Sequence, residues 1–178
     1  MERRLTVGLA DPSRIAELAA LAARTFPLAC PPSVTQDDIA AFVAENLSDA
    51  RFRDYLADPD RTVLTAFDDD RIVGYAMMIR GVPDDPDVSA AVTTRPAVEL
   101  SKMYVLPARH GEGVSAALMS AALEHAATEG AASVWLGVNQ RNDRAQRFYK
   151  KHGFAITGTK TFRLGGHLEQ DYVMVRPA

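Results

Sequence analysis

The sequence predicts an α+β fold, a central mixed sheet of about seven strands flanked by helices. Three observations predict it. Apolar residues recur at helical spacing through the first third of the chain. From Arg61 onward the spacing becomes that of strands. A strand, helix, strand succession from Ala97 to Val138 then makes a parallel crossover unit within a run of hairpins. At 178 residues the chain reads as one domain, 1–178, long enough to bury roughly 70% of its unfolded surface in a single core.

Leu5 and Val7 give a short first strand. Asp11 and Pro12 follow as a helix cap and a first-turn proline, opening an amphipathic helix through Ile15, Leu18, Leu21 and Ala22 to about Thr25. PLACPPS reads as a loop. Thr35 with Asp38 makes a capping box, with Asp in place of the usual Glu or Gln, and Ile39, Phe42, Val43 and Leu47 form the stripe of a second helix. Phe52, Tyr55 and Leu56 extend this helical region to the break at Asp58 and Pro59. TVLTAF, the turn Asp68 to Asp70 and IVGYAMMI are a β-hairpin, and Pro83, Pro86 and Pro96 mark a long loop. AVELSKMYV is the next strand, with imperfect alternation. A helix then runs from Val114 to about Glu129, followed by the buried strand SVWLGV. NQRNDRAQRFYKKHGF holds a short helix stopped by Gly153, and two last strands, near 155–164 and 169–175, join at Gly165 and Gly166.

The charge balance, 20 Lys plus Arg against 23 Asp plus Glu, argues against nucleic acid as the main partner. A cationic small molecule is allowed by it. The single cysteine, Cys30, cannot form an internal disulfide and reads as a buried or loop thiol. MERRLTVGLADPSR lacks the apolar run of a secretory signal, and Glu17 and Arg24 interrupt the most apolar early segment, so neither export nor membrane insertion is expected. A cytoplasmic location is the expectation. His110, His125, His152 and His167 lack ligand spacing such as HExxH, so no metal is expected.

The stretch YVLPARHGEGVSAALM, Tyr104 to Met119, is a strand end, a proline stop, a glycine loop and a helix start. Unpartnered N–H groups at the positive end of a helix dipole make a seat for phosphate. Two motifs narrow that reading. VxPxxHxxGVS resembles the VxPxxRxxGxG/A signature of the GNAT superfamily of acetyltransferases, and NDRAQRFYKKHGF, at about the interval found there, resembles its NxxAxxFYxKxGF segment. WLGV, GFxxTG, Phe162, Gly165, Asp171 and Met174, with Thr25 and Phe26 at the end of the first helix, are similar to the branch of PaiA-type spermidine and spermine acetyltransferases. Three positions depart from the pattern: His110 replaces an Arg or Gln, with Arg109 just before it; Ser115 replaces a final Gly or Ala; and Lys160 replaces a branch histidine.

The resemblance implies a GNAT-type sheet with a βαβ acetyl-CoA core and acetyl-CoA as cosubstrate. The pyrophosphate of coenzyme A would lie on the N–H groups of His110, Gly111, Glu112, Gly113, Val114 and Ser115. The pantetheine arm would pair with Met103, Tyr104 and Val105 like an added strand, where a main-chain N–H would polarise the thioester carbonyl. Met103 and Val105 also fit a purely core role. Asn142, Ala145 and Phe148 would flank the arm, Asn142 doubling as a helix cap. Tyr149 would protonate or hydrogen-bond the departing thiolate, although Phe148 and Tyr149 also read as two core aromatics. Glu99 is the candidate base for a protonated amine, directly or through water; a solvated strand carboxylate explains it as well. Arg144, Arg147 and Lys151 share a helical face that reaches toward phosphate or simply faces solvent.

The function these readings imply is N-acetyl transfer from acetyl-CoA to a small-molecule primary amine by direct attack, with a polyamine as one acceptor. Asp37, Asp38 and Glu45 on the second helix are then candidates for the acidic acceptor lining, or an ordinary solvated face. A peptide or protein amine is the alternative acceptor, and a non-catalytic acyl-CoA-binding module is the alternative of another class. Exposed sheet edges leave a homodimer open.

Overall fold

Seven strands form one sheet in the order β1-β2-β3-β4-β5-β7-β6. The structure is a computed structural model and describes residues 4–109 and 113–178. β1 (Leu5–Leu9), β2 (Arg61–Asp68), β3 (Arg71–Arg80) and β4 (Ala97–Val105) run antiparallel in sequence. β5 (Ser133–Asn139) joins β4 in parallel, and β7 (His167–Pro177) and β6 (Ala155–Leu164) close the other side antiparallel. This is the mixed sheet the sequence predicts.

The parallel pair is joined by α5 (Val114–Thr128), whose Val114, Leu118, Met119, Ala122 and Ala126 pack on Leu64, Ala76, Leu100, Val134 and Leu136. The opposite face is covered by α1 (Ile15–Thr25), α2 (Gln36–Asn46) and α3 (Asp49–Ala57). There Leu18, Leu21, Ala22 and Phe52 bury Val63, Tyr75 and Met77. α4 (Pro86–Ala91) covers Trp135 and Val173, and α6 (Asp143–Lys151) follows β5.

Two expectations change. The helical region expected from Thr35 to Asp58 is two helices, because the Ser48 hydroxyl accepts from Arg51 N at 3.2 Å and starts α3 anew. The proline-rich segment expected as loop contains α4, capped by Asp85 and opened by Pro86. The imperfect alternation of β4 also has a cause. The β3–β4 register shifts between Met77 and Met78, which pair with Lys102 and Leu100, so Ser101 is an extra residue on β4.

Candidate active site

β4 and β5 share only three rungs, Ala97 with Ser133, Val98 with Val134 and Glu99 with Trp135. The bulge at Ser101 falls just past the last rung, and a bulge bends and further twists its strand. Beyond Glu99 the two strands part, and the β5-facing edge of β4 from Ser101 to Tyr104 has no strand beside it among the described residues. A cleft of about 540 Å³ occupies the gap, within the ~300–1,000 Å³ of small-molecule sites.

The cleft collects most of the residues singled out from the sequence. Met103, Tyr104, Val105, Gly113, Val114, Ser115, Asn142, Ala145, Phe148 and Tyr149 all line it. Val105 is buried and Met103 packs on the same core, so their side chains serve packing while the strand itself borders the cleft. Gly113 takes φ +82° to turn the chain into α5, and among the described residues no side chain caps that helix. Gly113, Val114 and Ser115 at this start line the cleft, and the first N–H groups of a helix suit an anion. His110, Gly111 and Glu112, assigned to the same seat, lie outside the described residues. Asn142 Oδ1 accepts from Ala145 N at 3.1 Å, which fixes the start of α6 and with it Phe148 and Tyr149. Arg144 lines the cleft; Arg147 and Lys151 do not.

Tyr149 sits against Phe148 and Phe154, with ring centroids 5.5 and 5.9 Å away. Burial pushes its phenol up to about 12, so it holds its proton at neutral pH. Glu99 is placed differently from the residues above. It occupies the last closed rung, beside Trp135, and is not among the cleft's lining residues. Burial raises its carboxyl, opposed by the charges of Lys160, Lys102 and Arg61. Asp37, Asp38 and Glu45 also lie off the cleft; Asp38 faces His167 Nε2 at 3.6 Å instead.

Sequence reasoning missed the acidic side of the cleft. Glu169 and Asp171 line it, exposed by only 8% and 7%. Two residues apart on β7, they share a face with the fully buried Val173, and an acidic pair on the apolar face of a strand was the signal that could have found them. Asn139 Nδ2 donates to Glu169 Oε2 at 3.2 Å. Lys160 Nζ lies 3.4 Å from Asp171 Oδ2, and a Cβ on Gly137 would collide with Lys160 Cε, so the lysine stem passes over β5 where there is no side chain. The Tyr104 side chain was missed too. Its phenol is raised by burial first and then by Tyr149, Cys30 and Asp171, which brings these four groups into one electrostatic neighbourhood. Cys30 is a cleft thiol pushed up to about 11 by burial and Glu169, and so stays protonated.

A split parallel pair, an uncapped helix start and a tyrosine at the cleft wall suit an acyl-carrying thioester. The model of the acetyltransferase (GNAT) family matches residues 20–154. The chain belongs to the GNAT family. Relatives of this GNAT protein include uncharacterized N-acetyltransferases of Mycobacterium tuberculosis and Mycobacterium bovis, each 63% identical over 160 residues, covering 90% of this chain and 95% of the relative. Among solved structures, the PaiA N-acetyltransferase of Thermoplasma acidophilum in complex with coenzyme A superposes with a TM-score of 0.77 at 16% identity, covering 98% of this chain and 99% of that one. The ribosomal-protein-S18-alanine N-acetyltransferase of Escherichia coli gives 0.69 at 16% identity, covering 98% and 94%. At such identities the likeness is one of fold.

As a GNAT enzyme the protein is an acetyl-CoA-dependent N-acetyltransferase. Acetyl-CoA supplies an activated acetyl group. The residues present fit it: the strand edge from Ser101 to Tyr104 suits an amide-bearing arm, and the start of α5 suits a pyrophosphate.

Proposed function

We propose that the acceptor is a small primary amine carrying further positive charge, a polyamine, and that it attacks the acetyl carbonyl directly. The observation that carries this is the buried acidic pair Glu169 and Asp171 in the same cleft as Tyr149 and the open edge of β4. A cationic amine entering that wall gains opposite charge close by, where water is largely excluded and the attraction is strong. Tyr149 donates a hydrogen bond to the departing thiolate, and a main-chain N–H of β4 polarises the thioester carbonyl.

Release of free thiol from acetyl-CoA across spermidine, spermine, amino acids and short peptides tests the reading. Turnover with the polyamines and none with peptides is expected. Turnover confined to peptides overturns the acceptor assignment, and acetyl-CoA binding without amine-stimulated release overturns the reading of catalysis.

A further inference from the structure

An aliphatic amine arrives as an ammonium ion and must lose a proton before it can attack, so the cleft needs a carboxylate within reach of the acceptor nitrogen. Glu169 and Asp171 are the carboxylates that line the cleft among the described residues. They differ in what holds them. Glu169 takes a hydrogen bond from Asn139, the residue that ends β5. Asp171 is held by Lys160 from the edge strand, through one oxygen, Oδ2, at 3.4 Å.

We propose that Asp171 is the base that takes the acceptor's proton, and that Lys160, laid across β5 at Gly137, is the residue that positions it. This rests on the amine-acetyltransferase reading above. The lysine stem crosses the sheet from β6 and fits only because Gly137 has no Cβ. A lysine held over a neighbouring strand fixes the carboxylate it pairs with. Asp171 lines the same cleft as Tyr104 and Tyr149, and its charge acts on the Tyr104 phenol.

The charged and titratable groups that act on Asp171 come from three strands. Lys160 is on β6, Glu169 on β7 and Tyr104 on β4. Burial raises the Asp171 carboxyl, Lys160 lowers it, and Glu169 raises it again. A carboxyl above the ordinary range is a better match to a base working near neutral pH.

The step balances without a further reactant. The ammonium N–H bond breaks and its proton goes to Asp171. The free amine forms the new C–N bond and the C–S bond breaks. The attacking nitrogen loses its second proton to solvent, solvent returns one proton to the thiolate held by the Tyr149 hydrogen bond, and Asp171 releases its proton to solvent before the next turnover.

The test measures kcat/KM for spermidine against pH, with acetyl-CoA binding followed separately. Asp171→Asn is expected to lower kcat/KM by roughly 100-fold to 10,000-fold and to remove the acidic limb, leaving the acetyl-CoA Kd unchanged. Lys160→Met removes a positive charge that favours the ionised carboxylate, so the acidic limb moves to higher pH, and Lys160→Arg brings it back. Glu99→Gln keeps the limb. Retention of rate and limb in Asp171→Asn overturns the proposal, as does loss of the limb in Glu99→Gln alone. Should Asp171→Asn not fold, as read by circular dichroism, an unmoved limb in Lys160→Met overturns it instead. Wild-type enzyme that shows no amine-stimulated thiol release overturns the underlying function, a result distinct from failure of either variant.

Discussion

Tyr149 can act as a proton donor for charge developing on sulfur but is a weak one in the ground state, since burial takes its phenol up to about 12 while a thiol near 8.5 is the reference for the leaving group. In the proposed mechanism its contribution is therefore a hydrogen bond that strengthens as the C–S bond breaks. Tyr149→Phe is expected to slow turnover by roughly ten-fold to ten-thousand-fold while acetyl-CoA binding, followed by calorimetry, stays unchanged. Equal turnover would remove Tyr149 from the mechanism. Gly137→Ala makes a second prediction at this scale. The new Cβ meets the far end of a flexible lysine, so the fold tolerates it, but Lys160 must swing away from Asp171. A pH–rate profile displaced upward as in Lys160→Met, with a melting temperature close to wild type, is the expected result. Tyr149 was legible because it sits inside a dense motif. Asp171 was visible only as one letter of a branch pattern, because its role depends on a lysine eleven positions away that the β6–β7 register brings opposite it.

Caps set where the elements begin, and here the sequence was a good guide. Thr35 accepts from Asp38 N at 3.1 Å and Asn142 from Ala145 N at the same distance, both as the spacing implied. Asn142→Ala is expected to destabilise the protein by about 1 kcal/mol, read as a lowered denaturant midpoint at unchanged slope. The same change loosens the first turn of α6, which carries Phe148 and Tyr149 into the cleft. The misread elements share a cause. Ser48 and Asp85 are cap residues standing inside stretches whose apolar spacing or proline content pointed elsewhere, and a cap outweighs either. Ser101 shows the opposite situation: irregular alternation in β4 was visible in the sequence, but its meaning as a bulge appears only against the regular partner β3.

For the molecule as a whole, the β2–β3 hairpin and the parallel crossover were readable along the chain, while the seating of β7 between β5 and β6 was not. Nor was the parting of β4 from β5. Hydrophobic periodicity reports which face of a strand is buried and carries no information on how long two strands stay side by side. Acetyl-CoA at 100 times its Kd is expected to raise stability by about 2.7 kcal/mol, seen as a higher melting temperature that Tyr149→Phe retains. Phe52→Ala, by contrast, empties a fully buried site between α3 and the sheet, beside Tyr55 and Tyr75, and is expected to cost about 3–5 kcal/mol by chemical denaturation.

The gap past the Glu99 rung means that this sheet is unfinished in its own right. In the proposed binding mode its missing segment is the arm of the acetyl donor, so the main-chain amides between Ser101 and Tyr104 that point away from β3 alternate between solvent and a borrowed partner once per catalytic cycle. Hydrogen–deuterium exchange at those edge-facing amides would then serve as a clock for the resting state: slow when the donor saturates the enzyme, fast once it has been washed away, and at intermediate rates in proportion to occupancy during steady turnover.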